Sequence, residues 1–153
     1  SGWRIGYIAF NQSSKLDALR ENLPKLARVR IATNLPVQYG ALESLRGPQG
    51  YISEFVSELK KRRDLVVKRL NSMPGLSCPN PKGAFYAFPK IEDNRFGTDK
   101  EFVQKLLETK GVLTVHGSGF GEKYGSGHFR LVYLPSLEVL DSAMNKIEEF
   151  VSQ

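Results

Sequence analysis

Apolar positions recur along the chain at two spacings, one near 3.6 residues and one near two, and the alternation between them outlines the elements. Ile52, Phe55, Val56, Leu59, Val66 and Leu70 fall at helical spacing and predict a long helix over 50–71, ended by Pro74-Gly75. Thr98-Asp99-Lys100-Glu101 has the form of a capping box, in which the Thr hydroxyl and the Glu side chain satisfy each other's orphan backbone donors. It predicts a helix burying Phe102, Val103, Leu106 and Leu107 and stopping at Gly111. Ser136 caps a last helix whose apolar stripe is Leu140, Ala143, Met144, Ile147 and Val151. Strand-like runs lie at Trp3–Phe10, Gly83–Ile91, Val112–Val115 and Phe129–Leu134. Between the first of these and residue 50, Ser14 opens a helix through Leu16, Leu19 and Leu23 that Pro24 kinks or ends. A second short helix follows Asn34-Leu35-Pro36 and stops at Gly47-Pro48, with Pro36 in a first turn where its missing N–H costs nothing.

Helices and strands after residue 50 interleave without strict βαβ alternation, so the expected class is α+β, a small sheet with helices packed on one face. Residues 1–50 differ. One strand and two broken helices cannot make a sheet, and an unpaired Trp3–Phe10 leaves a row of backbone donors and acceptors open. The chain also opens almost at once on strand-like residues, with neither Met nor a basic-then-apolar leader, which reads as a stretch cut from something longer. The expected division is therefore 1–50 and 51–153.

Composition narrows the class. Over 153 residues, 41% are hydrophobic and 25% charged, close to ordinary globular proteins. A single cysteine, Cys78, excludes an intrachain disulfide framework and a cysteine-rich zinc site. No apolar run approaches the roughly 20 residues that span a bilayer, so the expectation is a soluble, cytoplasmic chain. The net charge of +6 and the run Lys60-Lys61-Arg62-Arg63 invite a nucleic-acid reading, but no aromatic platform or known motif accompanies the run, and a solvated helix face explains it better.

Candidate chemistry is sparse. Gly117-Ser118-Gly119-Phe120-Gly121 could cradle an anion, yet it lacks the Lys-Ser/Thr ending of a Walker motif and reads as a flexible connection or the rim of a site. His116 and His128 have no Cys, Asp or Glu at ligand spacing beside them and fit loop or structural roles. Two arginines are more informative. Arg130 shares a strand face with Val132 and Leu134, and a permanently charged guanidinium on an apolar strand needs a partner. Its planar fork suits a carboxylate, whether that of an internal acid or of a ligand. Arg4, between Gly2 and Gly6, poses the same question.

At these residues the chain resembles a known family. Gly2-Trp3-Arg4-Ile5-Gly6-Tyr7 resembles the segment following the Schiff-base lysine in fold-type I aminotransferases dependent on pyridoxal 5′-phosphate. Pro81-Lys82-Gly83-Ala84-Phe85-Tyr86-Ala87-Phe88-Pro89 is similar to the strand motif of their C-terminal small domain. Val115-His116-Gly117-Ser118-Gly119-Phe120-Gly121, followed by Gly127-His128-Phe129-Arg130, resembles their substrate-side loop and carboxylate-binding strand, in wording most like the archaeal alanine aminotransferases.

The resemblance implies roles and a domain plan. Arg4 matches the arginine that binds the cofactor phosphate, Arg130 the one that grips the substrate α-carboxylate, and Asn34 a polar turn on the dimer-facing, substrate-binding side. Residues 1–50 would be the last strand and helices of the large cofactor domain, and 51–153 the small domain. The implied enzyme is a homodimer that moves an amino group between an alanine- or aspartate-like amino acid and a 2-oxo acid, with no nucleic acid or membrane as partner. The resemblance also places the catalytic lysine upstream of Ser1, so the stretch alone would be inactive. The competing expectation is a stand-alone α+β module that binds a carboxylate, or pairs Arg130 internally, and performs no chemistry.

Overall fold

A computed structural model describes residues 2–153. The chain falls into two compact units, Ser1–Ile52 and Ser53–Gln153. In the first, helix α1 (Asp17–Ala27) follows a 3₁₀ turn at Ser14–Leu16, and α2 (Leu35–Arg46) follows another at Arg28–Arg30. Ser13, one residue before the expected cap, accepts from the Lys15 N–H at the start of the first turn. Pro24 neither ends nor breaks α1, which runs on to Ala27. The expected strand at Trp3–Phe10 is absent. That segment is irregular beyond a turn at its start, and its residues are exposed up to a half-buried Phe10. A β-rich composition cannot make a strand without a neighbour to take its hydrogen bonds, and no residue of 2–52 is buried.

The second unit holds the core. Helix α3 (Gly50–Ser72) reaches it with Val66 and Leu70, its apolar stripe becoming buried only in its last turns. There follow β1 (Leu76–Ser77), β2 (Tyr86–Ala87), β3 (Lys90–Ile91), α4 (Asp99–Lys110), β4 (Val115–His116), α5 (Glu122–Gly125), β5 (Phe129–Val132) and α6 (Leu137–Val151). All pairings are antiparallel: β1 with β3, and a three-stranded sheet in the order β2-β5-β4. The single strand expected over Gly83–Ile91 is split at Pro89, which has no N–H for a ladder; Lys90 and Ile91 beyond it pair with β1, while Lys90 also bridges His128 just before β5. Strand β1, beside the helix stop, was not expected from its two residues.

Alternation along β5 separates the two faces of the sheet. Phe129 and Leu131 are buried, while Arg130 is half-buried and Val132 exposed. Phe129, Leu131 and Ala87 join Val66, Leu70, Phe102, Leu106, Leu140, Met144, Ile147 and Val151 in one apolar cluster, which makes the unit an α+β body. Its centre is aromatic: the Phe102 ring lies 5.2, 5.0 and 5.3 Å from those of Phe96, Phe129 and Phe150. The capping box of α4 forms as its spacing predicts, and Gly111 ends the helix at φ 66°, where a Cβ would strain. Leu107, expected inside, is 44% exposed. Arg69 ties α3 to α6 by donating to Asp141, Asn145 and Glu148 at 2.5, 2.6 and 3.0 Å.

The basic run is only partly solvated. Lys61 pairs with Glu58, but Arg62 donates to the Leu134 carbonyl and Arg63 to that of Pro81, tying the helix to later loops. Replacing Phe102 by Ala empties the middle of the ring cluster and is expected to cost about 3–5 kcal/mol, read from urea unfolding midpoints and slopes. A loss below about 1 kcal/mol would contradict the central place given to this ring.

Candidate functional site

Arg130 is the centre of the site in the second unit. Its register partner across the ladder is Val115, and the β2 partner of nearby Val132 is Tyr86. The Tyr86 side chain reaches the arginine diagonally, so that the guanidinium carbon lies 4.8 Å from the Tyr86 ring centroid. The Phe120 ring, from the turn after β4, approaches to 4.2 Å. Both distances are those of cation–π contacts, in which ring quadrupoles stabilise a cation without neutralising it. No acid pairs with Arg130, and no hydrogen bond from its guanidinium is formed among the described residues. Charge is retained and the donor fork is uncommitted. Such a group binds a carboxylate through two parallel hydrogen bonds.

The turn that carries Phe120 is built by close backbone approach. A Cβ on Gly117 would lie 2.3 Å from the Gly125 carbonyl oxygen, and one on Gly125 would lie 2.0 Å from that of Gly117. These glycines let two stretches of main chain touch, and the Gly117 N–H donates to the His128 carbonyl at 2.8 Å. The segment expected to be a flexible connection is thus a 3₁₀ turn (Gly117–Phe120) followed by α5. His116 caps that turn: its Nδ1 accepts from the Gly119 N–H at 3.2 Å and lies 3.0 Å from Ser118 Oγ. An N–H can only donate, so Nδ1 is the bare nitrogen here and the Ser118 hydroxyl donates to it as well. His128 stacks on Phe88 at 5.2 Å, and Phe88 meets Phe120 edge-on at 6.2 Å. The structural roles expected of both histidines hold.

Asp99, in the first turn of α4, accepts from the Ser118 N–H at 2.6 Å and is 5% exposed. Burial pushes its carboxyl up, but the backbone hydrogen bonds it accepts, first among them that from the Ser118 N–H, pull harder and leave it below the ordinary value.

Arg4 and Asn34 lie in the first unit. Arg4 is exposed at φ 51°, a left-handed conformation that costs a side-chain-bearing residue about 1–2 kcal/mol. It makes no ion pair or hydrogen bond among the described residues. Asn34 occupies the N-cap position of α2, is exposed, and its side chain caps nothing. Nothing joins it directly to Arg4 among the described residues. An open concavity of about 1130 Å³ beside the Trp3–Tyr7 segment is lined by Trp3, Ile5, Tyr7, Val37 and Leu45.

An α+β unit with antiparallel small sheets, presenting an arginine fork on its open face, defines the class of protein, and comparison narrows it. The chain matches the family model for aminotransferase class I and II over residues 1–147. It resembles a solved alanine aminotransferase from Pyrococcus furiosus at 50% identity and a TM-score of 0.90, over 99% of this chain and 38% of that one. A solved aspartate aminotransferase from Thermotoga maritima gives 35% identity and a TM-score of 0.81, over 99% and 36%. The probable aspartate/prephenate aminotransferase of Rhizobium leguminosarum bv. phaseoli is 37% identical over 161 residues, 98% of this chain and 38% of that protein. The chain belongs to the class I and II aminotransferase family, and it spans little more than a third of the length of these relatives. Membership implies pyridoxal 5′-phosphate as cofactor. Arg4 is an exposed guanidinium with no partner among the described residues, and the space around neighbouring Gly2 and Gly6 is open.

Tyr86, Phe120 and Asp99 were missed as site residues from sequence. Tyr86 was signalled only by the alternation of Phe85-Tyr86-Ala87, which puts it opposite the buried Ala87, and Phe120 only by lying in the Gly117–Gly121 stretch read as the rim of a site. A carboxyl whose value is lowered in the fold stabilises above its unfolded value, about 3.9, and that contribution disappears as pH falls through the lower folded value. The difference in melting temperature between the wild type and Asp99→Asn should therefore narrow on acidification below about pH 4. A difference that is constant or widens would contradict the assigned charge.

Proposed function

We propose that the chain is the C-terminal part of a pyridoxal-phosphate-dependent aminotransferase acting on an alanine- or aspartate-like amino acid and a 2-oxo acid. Residues 1–50 are the end of its large domain and 51–153 its small domain. The observation that carries this reading is the Arg130 guanidinium, held by Tyr86 and Phe120 with no acid paired to it among the described residues. The group common to an amino acid and a 2-oxo acid is the α-carboxylate, so one such fork serves the reaction in both directions. The rings cover part of the guanidinium surface, and with water displaced a charge pair at its edge strengthens. Arg4 holds the cofactor phosphate, and Asn34 supplies a polar group on the substrate side. The cofactor, when bound, supplies the electron sink that makes amino-group transfer feasible. The lysine that carries it belongs to the large domain, outside these 153 residues, so this stretch alone transfers no amino group.

The exposed apolar side chains of the first unit, among them Leu35, Tyr39 and Leu45 of α2 at 61, 65 and 55% exposure, support a surrounding large domain and a second subunit. The intact protein is proposed as a cytoplasmic homodimer. No helix among the described residues is long and apolar enough to cross a membrane.

In the full-length protein supplied with pyridoxal 5′-phosphate, alanine and 2-oxoglutarate, amino-group transfer is expected. Arg130→Ala should lower kcat/KM by an amount corresponding to about 2–5 kcal/mol, the usual loss of one partner of a desolvated charge pair. Arg130→Lys should recover only part, because a lysine keeps the charge and loses the planar fork. Unchanged kcat and KM in Arg130→Ala would remove the assigned role.

A further inference from the structure

We propose that Asp99 is a positioning residue for the substrate-binding guanidinium: through the Ser118 N–H it fixes the Gly117–Phe120 turn and so holds the Phe120 ring against Arg130. The inference rests on the reading of Arg130 as the carboxylate anchor and goes beyond it by tracing how that anchor is aimed.

Phe120 has little packing of its own. It is 52% exposed, and its ring meets the Arg130 guanidinium and the Phe88 ring edge-on. Where the ring sits is therefore decided by the backbone beneath it. That backbone is tied at its start by Gly117, whose N–H is held by His128 and which has no room for a side chain. In its middle the only side chains bonding the turn's own N–H groups are Asp99 at Ser118 and His116 at Gly119 among the described residues. The Asp99 bond spans 19 residues of sequence and joins the first turn of α4, itself fixed by its capping box, to the turn. A hydrogen bond to a carboxylate is roughly twice as strong as one between neutral groups, and the 2.6 Å separation is of that kind. A buried carboxylate is a costly way to satisfy one exposed-turn N–H. It is well suited to holding a turn rigid from one side while the other side meets ligand.

The chain of contacts is thus α4, Asp99, Ser118, Phe120, Arg130. Each link is a named contact, and the last is the group proposed to touch substrate. His116 acts beside Asp99 as the second brace.

The test uses the full-length holoenzyme and steady-state kinetics with the amino acid varied. Asp99→Ala should raise KM by about 10-fold with kcat changed less than about 2-fold, because a loosened anchor weakens substrate and transition state alike. Phe120→Ala should do the same, and Asp99→Ala placed on top of it should add nothing, since coupled residues acting through one contact are not additive. His116→Ala should also raise KM, and His116→Asn, whose side-chain oxygen can still accept from the Gly119 N–H, should restore it. Ser136→Ala, which weakens α6 without touching α4 or the turn, should lower the melting temperature and leave KM unaltered. Independent, multiplying effects of Asp99→Ala and Phe120→Ala would overturn the proposal, as would an Asp99→Ala enzyme with wild-type KM. If Asp99→Ala does not fold, the His116 pair decides, and a KM insensitive to both His116 variants overturns it. An Arg130→Ala enzyme with normal KM would instead remove the underlying assignment of the anchor, an outcome distinct from all of these.

Discussion

A guanidinium stays charged at any pH at which the protein is folded, so a half-buried one must be matched by something. On β5 that match is made with aromatic rings in place of carboxylates. The difference decides what the site can do. An acid would satisfy the charge and occupy the fork, leaving nothing for a ligand. Tyr86 and Phe120 stabilise the cation through their quadrupoles while its donors stay available and its net charge remains. Much of the second unit can be understood as the means of keeping that arrangement: an open sheet face for the arginine, a closed one for the core, and a braced turn beside it.

The arrangement follows from period-two geometry and a few steric necessities. Alternation on β5 commits Phe129 and Leu131 to the aromatic and aliphatic core and thereby sends Arg130 to the other side. Pairing with β2 brings Tyr86 to that side, and the turn after β4 brings Phe120. The turn closes tightly enough to do so because Gly117 and Gly125 leave room for two backbones to touch. Asp99 then couples the turn to α4, whose buried face carries Phe102 and Leu106. The core and the open face are in this way parts of one mechanical unit.

The elements legible in the sequence were those with their own local chemistry. The capping box at Thr98, the stop at Gly111, the cap at Ser136 and the stripes of α3, α4 and α6 all depend on residues within a few positions of one another. What was not legible depends on partners distant in sequence. Trp3–Phe10 has the residues of a strand and nothing to pair with, so it forms none. Gly83–Ile91 reads as one strand but divides at Pro89, past which Lys90 and Ile91 gain β1 as a further neighbour while Lys90 still bridges His128. The face of Arg130 could be deduced from alternation alone, whereas its aromatic company could not, since a ring from residue 120 meets it only through the fold. The glycines of 117–127 suggested looseness by composition, whereas Gly117 and Gly125 serve close approach and Gly121 and Gly127 adopt positive φ.

The central claim is that the Arg130 fork is held open by rings in order to receive a carboxylate. A crystal structure of the full-length holoenzyme with an amino-acid substrate analogue tests it most directly. The account predicts two near-parallel hydrogen bonds of about 2.7–2.9 Å from the guanidinium to the α-carboxylate, with Tyr86 and Phe120 still against the cation. A carboxylate held by another cation, with Arg130 paired to an acidic side chain of the protein, would contradict it.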